Sequence, residues 1–279
     1  MEQLRQGSGD ISRPLATSVR EAKHGVSEQR SLRRPTVTAV IPALNEAQNL
    51  PHVLPKLEGL VDEVIIVDGL SDDDTIEVAR RLRTDIKIVE EPKRGKGAAL
   101  RRGFAEARGD IIVMLDADGS TDPGEIPAFV GLLLAGADFV KGSRFLHGGG
   151  TSDMPRHRQL GNGALTMMVR WLFGGRYTDL CYGYNAFWSD LLPRLQLDSD
   201  GFEIETVMNI RALRAGLKVV EVASFEDKRI YGESKLRALP DGWRIAKTIL
   251  RERFRGRPLA GELPAAQLET AAAQPETAG

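Results

Sequence analysis

The sequence predicts an α/β fold in which helices flank a mostly parallel sheet. Short runs of β-branched and apolar residues alternate with helical stretches of about 10–15 residues, which is typical of βαβ units. The early strands also run into polar loops. A length of 279 residues with 42% hydrophobic content is enough to bury one large core. The net charge of −1 gives no support for nucleic-acid binding.

The first strand spans residues 36–42 and is stopped by Pro42, and Asn45 then caps a helix. Further strands are predicted at 63–67, 86–89, 111–115 and 138–141, with helices at 72–83, 98–107 and 125–135. The second half is less regular, with helices at 162–173, 201–215 and 243–253, a short strand within 179–187 and another at 217–222. The arm 1–34 and the tail 258–279 lack periodicity, so we expect both to be disordered.

Two aspartates follow the apolar strand at 111–115. Asp116 and Asp118 are two residues apart, so on an extended backbone their side chains share one face. Adjacent carboxylates repel each other unless a cation lies between them, and Mg²⁺ or Mn²⁺ prefers oxygen ligands. The alternative is a turn with a helix cap, because Asp118-Gly119-Ser120 also has turn chemistry.

Polar residues after the other early strands are expected to meet this aspartate pair. Parallel strands end at one edge of a sheet, and open α/β sheets bind ligands there. The loops after residues 41, 67, 89 and 115 carry Asn45, Glu46, Asp68, Lys96, Asp116 and Asp118. This convergence favours a metal site over a simple turn.

Three motifs in order resemble family 2 glycosyltransferases: residues 42–46 (Pro-Ala-Leu-Asn-Glu), 67–75 (Val-Asp-Gly-Leu-Ser-Asp-Asp-Asp-Thr) and 115–118 (Leu-Asp-Ala-Asp). Residues 93–97, 141–145 and 178–187 are similar to the polyprenyl- and dolichol-phosphate sugar transferases of that family. The resemblance implies a Rossmann-like GT-A fold, a nucleotide-sugar donor, a divalent metal and inversion of the anomeric centre. The resemblance covers roughly residues 36–236. We expect a glycosyltransferase domain at 35–257, with a nucleotide-sugar-binding half at 35–145 and an acceptor half at 146–257.

The resemblance also implies which residues bind the nucleoside. Asn45, Glu46 and Asp68 would contact it, with Asp68 facing the base, and Pro42 belongs to the first motif. Lys96 would be the basic contact in the nucleotide pocket. Many relatives have Asp-Asp-Gly-Ser where this chain has Asp-Gly-Leu-Ser at 68–71, and this departure leaves the identity of the base open.

For the metal, the resemblance implies the motif Asp116-Ala117-Asp118. Asp116 and Asp118 would hold Mg²⁺ or Mn²⁺ on the diphosphate of a UDP- or GDP-sugar. A metal acting as a Lewis acid would stabilise the charge that develops on the departing diphosphate.

Phosphate contacts in the acceptor half are expected from arginines, which bind phosphate with charge-assisted hydrogen bonds. The candidates are Arg144, Arg156, Arg158 and Arg229.

The need for a general base depends on the acceptor. A polyprenyl phosphate is already anionic near neutral pH, so positioning could suffice, whereas a hydroxyl acceptor must lose a proton to a carboxylate. The candidate bases are Asp179, Glu203 and Glu205, of which we prefer Asp179 because its loop gives few other reasons for an acid.

The sequence bears on four further functions. Transfer to a soluble hydroxyl acceptor remains open. A sugar nucleotidyltransferase lacks support, since its glycine-rich signature is missing after the first strand, and a non-catalytic nucleotide-sugar-binding protein would be expected to have a broken aspartate pair. Gly95-Lys96-Gly97 lacks the third glycine of a dinucleotide-binding fingerprint, so hydride chemistry is not favoured.

The C-terminal stretch 243–257 carries six basic residues and one acid. Its apolar residues recur at spacings of three or four, as on one face of a helix: Trp243, Ile245, Ala246, Ile249, Leu250 and Phe254. Such a helix either lies on an anionic bilayer or packs its apolar face on the catalytic domain. No apolar run has the length of a membrane span, the start is polar and there is one cysteine, so we expect a cytoplasmic protein, with peripheral membrane contact left open.

Overall fold

The computed structural model describes residues 33–233 and 237–255. The tail expected at 258–279, and all but the last two residues of the arm expected at 1–34, lie outside the described residues. The strands are β1 (Val37–Ala43), β2 (Glu63–Asp68), β3 (Lys87–Glu90), β4 (Ile111–Met114), β5 (Phe139–Ser143), β6 (Gly150–Thr151), β7 (Asn185–Trp188), β8 (Val219–Ala223) and β9 (Phe225–Glu226).

Within the described residues, seven strands form the main sheet in the order β3-β2-β1-β4-β7-β5-β8, and β6 pairs with β9 in a small second sheet. The neighbours β1–β2, β1–β4, β2–β3 and β5–β8 are parallel. Strand β7 is antiparallel to both β4 and β5, between which it lies. The prediction of a mostly parallel sheet is therefore confirmed.

The helices are α1 (Leu50–Val53), α2 (Thr75–Leu82), α3 (Lys96–Glu106), α4 (Ile126–Leu134), α5 (Arg156–Phe173), α6 (Leu192–Leu195), α7 (Ile204–Arg214) and α8 (Ala238–Phe254). Three of them begin earlier than the pattern predicts, α3 by two residues and α5 and α8 by five or six. Helix α5 starts directly after Pro155, and continues through Gly161 and Gly163 although glycine costs helices about 1 kcal/mol each. Helix α8 begins at Ala238 and accommodates Pro240, because the first turn of a helix does not need the missing N–H.

The main core lies along the sheet. The side chains of β4 and most of those of β1 and β2 are buried, because helices cover both faces of a parallel sheet. A second cluster joins α5, α7, α8 and the loop before β7, and consists of Val169, Tyr177, Leu180, Ile210, Ile245 and Ile249. Ile245 and Ile249 of the basic helix thus pack on the rest of the protein. This agrees with the second of the two alternatives for this helix, in which its apolar face packs on the catalytic domain.

Candidate active site

The strands that carry the predicted polar residues end together. In register, Ala43 at the end of β1 pairs with Asp68 at the end of β2. On the other side of β1, the Leu115 N–H donates to the Val40 carbonyl at 3.3 Å. The loops that follow β1, β2 and β4 therefore leave from adjacent points of one edge, as the sequence predicts. Pro42 is half-buried in β1, and Ala117 is buried between the two aspartates.

The loops after β1 and β2 are joined by side-chain hydrogen bonds. The carboxylate of Asp68 accepts from the hydroxyl of Ser71 at 2.6 Å and from its N–H at 3.0 Å. The same hydroxyl accepts the N–H of Asn45 at 2.9 Å. Asn45 and Leu70 have φ values of +58° and +64°. Leu70 stands where the resemblance described above leads us to expect glycine, which adopts this conformation without strain. The sequence at 68–71 therefore places a leucine, instead of the expected glycine, at a left-handed turn position.

Lys96 connects two carboxylates of different elements. Its Nζ lies 2.6 Å from Oδ1 of Asp116 after β4 and 2.7 Å from Oε1 of Glu205 on α7. Burial alone would lower the pKa of Lys96, but the two carboxylates outweigh burial and hold that pKa above its ordinary value. Lys96 is therefore a fixed positive charge beside Asp116. Burial raises the pKa of Glu205, and the ammonium of Lys96 opposes this shift.

The glycines on either side of Lys96 have a packing reason. A Cβ on Gly95 would overlap the carbonyl oxygen of Asp200, and one on Gly97 would overlap that of Ser199. The N–H of Ala98 donates to the carbonyl of Asp200 at 3.1 Å. The Gly-Lys-Gly sequence thus lets residues 199–201 close against the start of α3, which brings Glu205 next to Lys96. Sequence reasoning assigned Glu205 to the acceptor half and did not foresee this contact.

The second aspartate of the pair contacts an arginine. Nη2 of Arg229 lies 2.8 Å from Oδ2 of Asp118, and its Nη1 lies 3.0 Å from Oε1 of Glu46. The other oxygen of Asp118, Oδ1, accepts the N–H of Ser120 at 2.9 Å. The sequence named Arg229 only as one of four candidate phosphate contacts, since nothing local relates it to residues so distant in the chain.

Beside Arg229 lies a cleft of about 280 Å³. Its lining includes Asn45, Glu46, Asn49, Asp73, Arg229 and Tyr231. The cleft thus brings residues of the loops after β1 and β2 next to the segment that follows β9.

The chemistry of these side chains fits a metal that is shared with a phosphate. No three His, Cys, Asp or Glu side chains within residues 33–233 and 237–255 are grouped so that they could hold a metal ion by themselves. Asp116 and Asp118 would supply carboxylate oxygens from one loop, and Mg²⁺ is often bound through one or two carboxylates plus substrate phosphates. The residues present therefore fit a cation that a diphosphate helps to bind.

Arg144 and Asp179 form a buried clamp in the half of the chain that the resemblance predicts to bind the acceptor. Nε and Nη2 of Arg144 donate to the two oxygens of Asp179 at 2.7 and 2.9 Å. Nη1 of Arg144 donates to both oxygens of Glu226 at 3.0 Å. Asn162 of α5 adds a hydrogen bond to Oδ1 of Asp179 at 3.1 Å. The clamp thus joins β5, α5, β9 and the loop before β7. Its members Glu226 and Asn162 carried no sequence signal of their own.

This geometry differs from the expectation that Asp179 is a base. Its side chain is 0% exposed and both oxygens accept hydrogen bonds. Burial alone would raise the pKa of Asp179, but the hydrogen bonds and charge of Arg144, with the charge of Lys141, hold it below the ordinary value. A buried carboxylate of lowered pKa is a weak proton acceptor, so the structure favours a positioning role.

The remaining predicted residues lie apart from this clamp. Arg156 is exposed and Arg158 half-buried, and both are in the first turn of α5. Glu203 precedes α7, and its Oε1 accepts the N–H of Gly201 at 3.3 Å. Among the described residues, no helix is long and apolar enough to cross a membrane.

Comparison with known proteins agrees with this geometry. The family model described as Glycosyl transferase family 2 matches residues 38–191. An undecaprenyl-phosphate mannosyltransferase of Micrococcus luteus is 34% identical over 72% of this chain and 87% of its own length. A dolichol-phosphate mannosyltransferase of Pyrococcus furiosus is also 34% identical over 72% of this chain, which spans 59% of that protein. The structure of glucosyl-3-phosphoglycerate synthase from Mycobacterium tuberculosis with Mn²⁺, UDP and phosphoglyceric acid has a TM-score of 0.62 at 26% identity and covers 86% of each chain.

Proposed function

Because the chain belongs to glycosyl transferase family 2, we propose that it transfers a sugar from a UDP- or GDP-sugar to a polyprenyl phosphate, with inversion at the anomeric carbon and with a divalent cation. The observation that carries the proposal is the meeting of Asp116 and Asp118 with Lys96 and Arg229 at the end of β4. Carboxylates for a cation and fixed positive charges for a diphosphate are what the leaving group of this reaction needs.

The donor site is more acidic than basic, which supports the need for a cation. Glu46, Asp116, Asp118 and Glu205 contact just two bases, Lys96 and Arg229, in the hydrogen bonds and ion pairs described above. A dianionic diphosphate would be repelled unless further positive charge accompanied it. A bound Mg²⁺ or Mn²⁺ would supply this charge and act as a Lewis acid on the leaving group. Lys96 would hold Asp116 in place and add a second positive charge.

The nucleoside is proposed to lie at the joined loops after β1 and β2. Asp68 is almost fully buried and Ser71 donates to both of its carboxylate oxygens, so the orientation of Asp68 at this edge is fixed. Asn45 is exposed beside it. These groups suit the N–H donors of a nucleobase or the hydroxyls of a ribose, and they do not by themselves distinguish uracil from guanine.

A phosphate acceptor is consistent with the contacts of the three candidate bases, each of which already accepts a hydrogen bond or forms an ion pair. Asp179 is buried in its clamp, Glu205 is paired with Lys96, and Glu203 accepts a backbone N–H. An acceptor that arrives as an anion needs no proton removed. Arg156 and Arg158 would attract its phosphate to the start of α5, where the helix dipole adds to their charge.

The apolar surface of α8 supports contact with a membrane that carries the acceptor. Ile245 and Ile249 are buried, but Trp243 and Phe254 are 65% and 84% exposed. Basic residues alternate with them along the helix, and each Lys or Arg near an anionic bilayer contributes about 1 kcal/mol. On α5, Trp171 is 86% exposed. We propose that the described part of this stretch, residues 243–255, reaches the bilayer surface from the cytoplasmic side.

The test of the transfer reaction is a panel of UDP-, GDP- and dTDP-sugars with Mn²⁺ or Mg²⁺ and a short-chain polyprenyl phosphate. We expect one donor to give a lipid-linked sugar of inverted configuration, and no product in excess chelator. Asp118→Asn should lose this activity, whereas Asp122→Asn, an exposed aspartate that caps a short turn, should keep it. Transfer to 3-phosphoglycerate but not to the lipid would refute the acceptor assignment.

The test of the membrane contact is co-sedimentation with vesicles. Binding to anionic vesicles and not to neutral ones is expected at low salt, and Trp243→Ser with Phe254→Ser should weaken it. No binding of the wild-type protein to anionic vesicles would contradict the proposal.

A further inference from the structure

Residues 227–231, here called the strap, lie across the loop that carries Asp118. The N–H of Asp227 donates to the carbonyl of Ser120 at 2.8 Å, and that of Ile230 to the carbonyl of Asp118 at 3.2 Å. At the far end, the N–H of Tyr231 donates to Oδ1 of Asn49 at 2.9 Å. The amide of Asn49 donates back to the carbonyl of Tyr231 at 3.2 Å. The backbone on both sides of Arg229 is therefore held in place.

From this position Arg229 contacts the oxygen of Asp118 that a cation would use. Oδ1 of Asp118 accepts the N–H of Ser120 within its own loop, so we take Oδ2, the oxygen that faces Arg229, as the one offered to an ion. Arg229 donates to that Oδ2 at 2.8 Å and pairs with Glu46 through its other terminal nitrogen. A guanidinium and a divalent cation on the same oxygen would repel each other. The two cannot share Oδ2 without cost.

On the basis of the proposed function, we propose that Arg229 competes with the divalent cation for Oδ2 of Asp118. Arg229 gives up this oxygen when a diphosphate binds. The guanidinium fits phosphate oxygens with two parallel hydrogen bonds, so a diphosphate can draw it away from the carboxylate. Because the strap is anchored through its backbone, the exchange moves a side chain only. Arg229 thereby makes binding of the cation depend on binding of the nucleotide.

The two ligands should respond to loss of Arg229 in opposite directions. Removing the guanidinium leaves Oδ2 to the cation, so the cation alone binds more tightly. The same change removes a positive charge from the diphosphate, so the nucleotide binds more weakly. A general loss of structure would weaken both ligands, and this difference makes the inference testable without any turnover.

The experiment measures Mn²⁺ binding to the full-length, chelator-treated protein from the electron paramagnetic resonance signal of the unbound ion. We expect Arg229→Met to bind Mn²⁺ alone about tenfold more tightly than the wild type, a difference of about 1.4 kcal/mol. Calorimetry at saturating Mn²⁺, with UDP and GDP in separate arms, should show about tenfold weaker nucleotide binding. Arg229→Gln is the second variant should Arg229→Met fail to fold. Lys228→Met, which removes an exposed charge from the same strap, should leave both affinities within about twofold.

The outcomes separate this inference from the proposed function. If Asp118→Asn loses Mn²⁺ but Arg229→Met binds it no more tightly than the wild type, competition by Arg229 is refuted and the metal site stands. If Mn²⁺ binding does not depend on Asp118 at all, the metal assignment and the competition both fail.

Discussion

Replacing Asp179 by asparagine tests whether this residue positions the acceptor site or removes a proton. Asp179 is fully buried and holds Arg144 through two short hydrogen bonds. Breaking a buried ion pair from one side typically costs 3–5 kcal/mol. Asparagine keeps one acceptor oxygen, so we expect a loss of about 3 kcal/mol. For a domain of this size, about 2–4 °C per kcal/mol converts this loss into a melting temperature lower by roughly 6–12 °C.

The assay is thermal unfolding followed by circular dichroism, with Asp153→Asn as an exposed control that should melt with the wild type. The pKa of Asp179 is lowered in the folded protein, so its contribution to stability is present above the unfolded pKa of about 3.9 and is lost as pH falls through the folded value. The difference between wild type and variant should therefore shrink below about pH 4. A melting temperature within about 2 °C of wild type, together with abolished transfer, would refute the positioning role and restore Asp179 as a base.

Three further outcomes are expected. In Gly183→Ala, the new Cβ would lie 2.7 Å from Oε1 of Glu205 and 2.8 Å from Nζ of Lys96. Calorimetry should therefore show about tenfold weaker nucleotide binding, with little change in melting temperature. Unchanged nucleotide affinity would contradict the role of this close approach. Glu252→Gln should lower the free energy of unfolding in urea by about 3 kcal/mol, because Glu252 is fully buried and accepts from Arg211 at 2.8 Å, while exposed Glu233→Gln should not. Cys181 is half-buried, and burial raises the pKa of its thiol to about 12, so Ellman's reagent at pH 8 should label it much more slowly in the native protein than after denaturation; equal rates would contradict the raised pKa.

The part of the fold that the sequence predicted is the part that local pattern controls. Strands β1 to β5 were recognised because short apolar runs, most of them rich in β-branched residues, alternate with helical stretches, and polar loops mark where the strands end. The predicted start of helix α5 is too late because Gly161 resembles a break in the pattern. The position of β7 between β4 and β5 could not be read from its four residues, since pairing partners are set by the whole sheet.

The candidate site divides in the same way. Asp116 and Lys96 could be placed near each other because parallel topology alone brings their loops to one edge. The contacts of Glu205 and Arg229 depend on chain segments that return from about one hundred residues away. Asp179 was identified as an unusual acid in a loop, but its buried ion pair with Arg144 could not be foreseen, because a sequence does not show which distant residue contacts an acid.

The reversed direction of β7 has a consequence for how such a site can diversify. The donor loops leave the carboxyl ends of β1, β2 and β4, whereas the loop 174–184 enters the same edge at the amino end of β7, where Asn185 pairs with both Met114 and Lys141. Insertions in this incoming loop would lengthen one wall of the acceptor region without shifting the strand ends that hold the donor. A related enzyme could thus exchange its acceptor by remodelling a single connection and inherit the nucleotide-sugar chemistry intact.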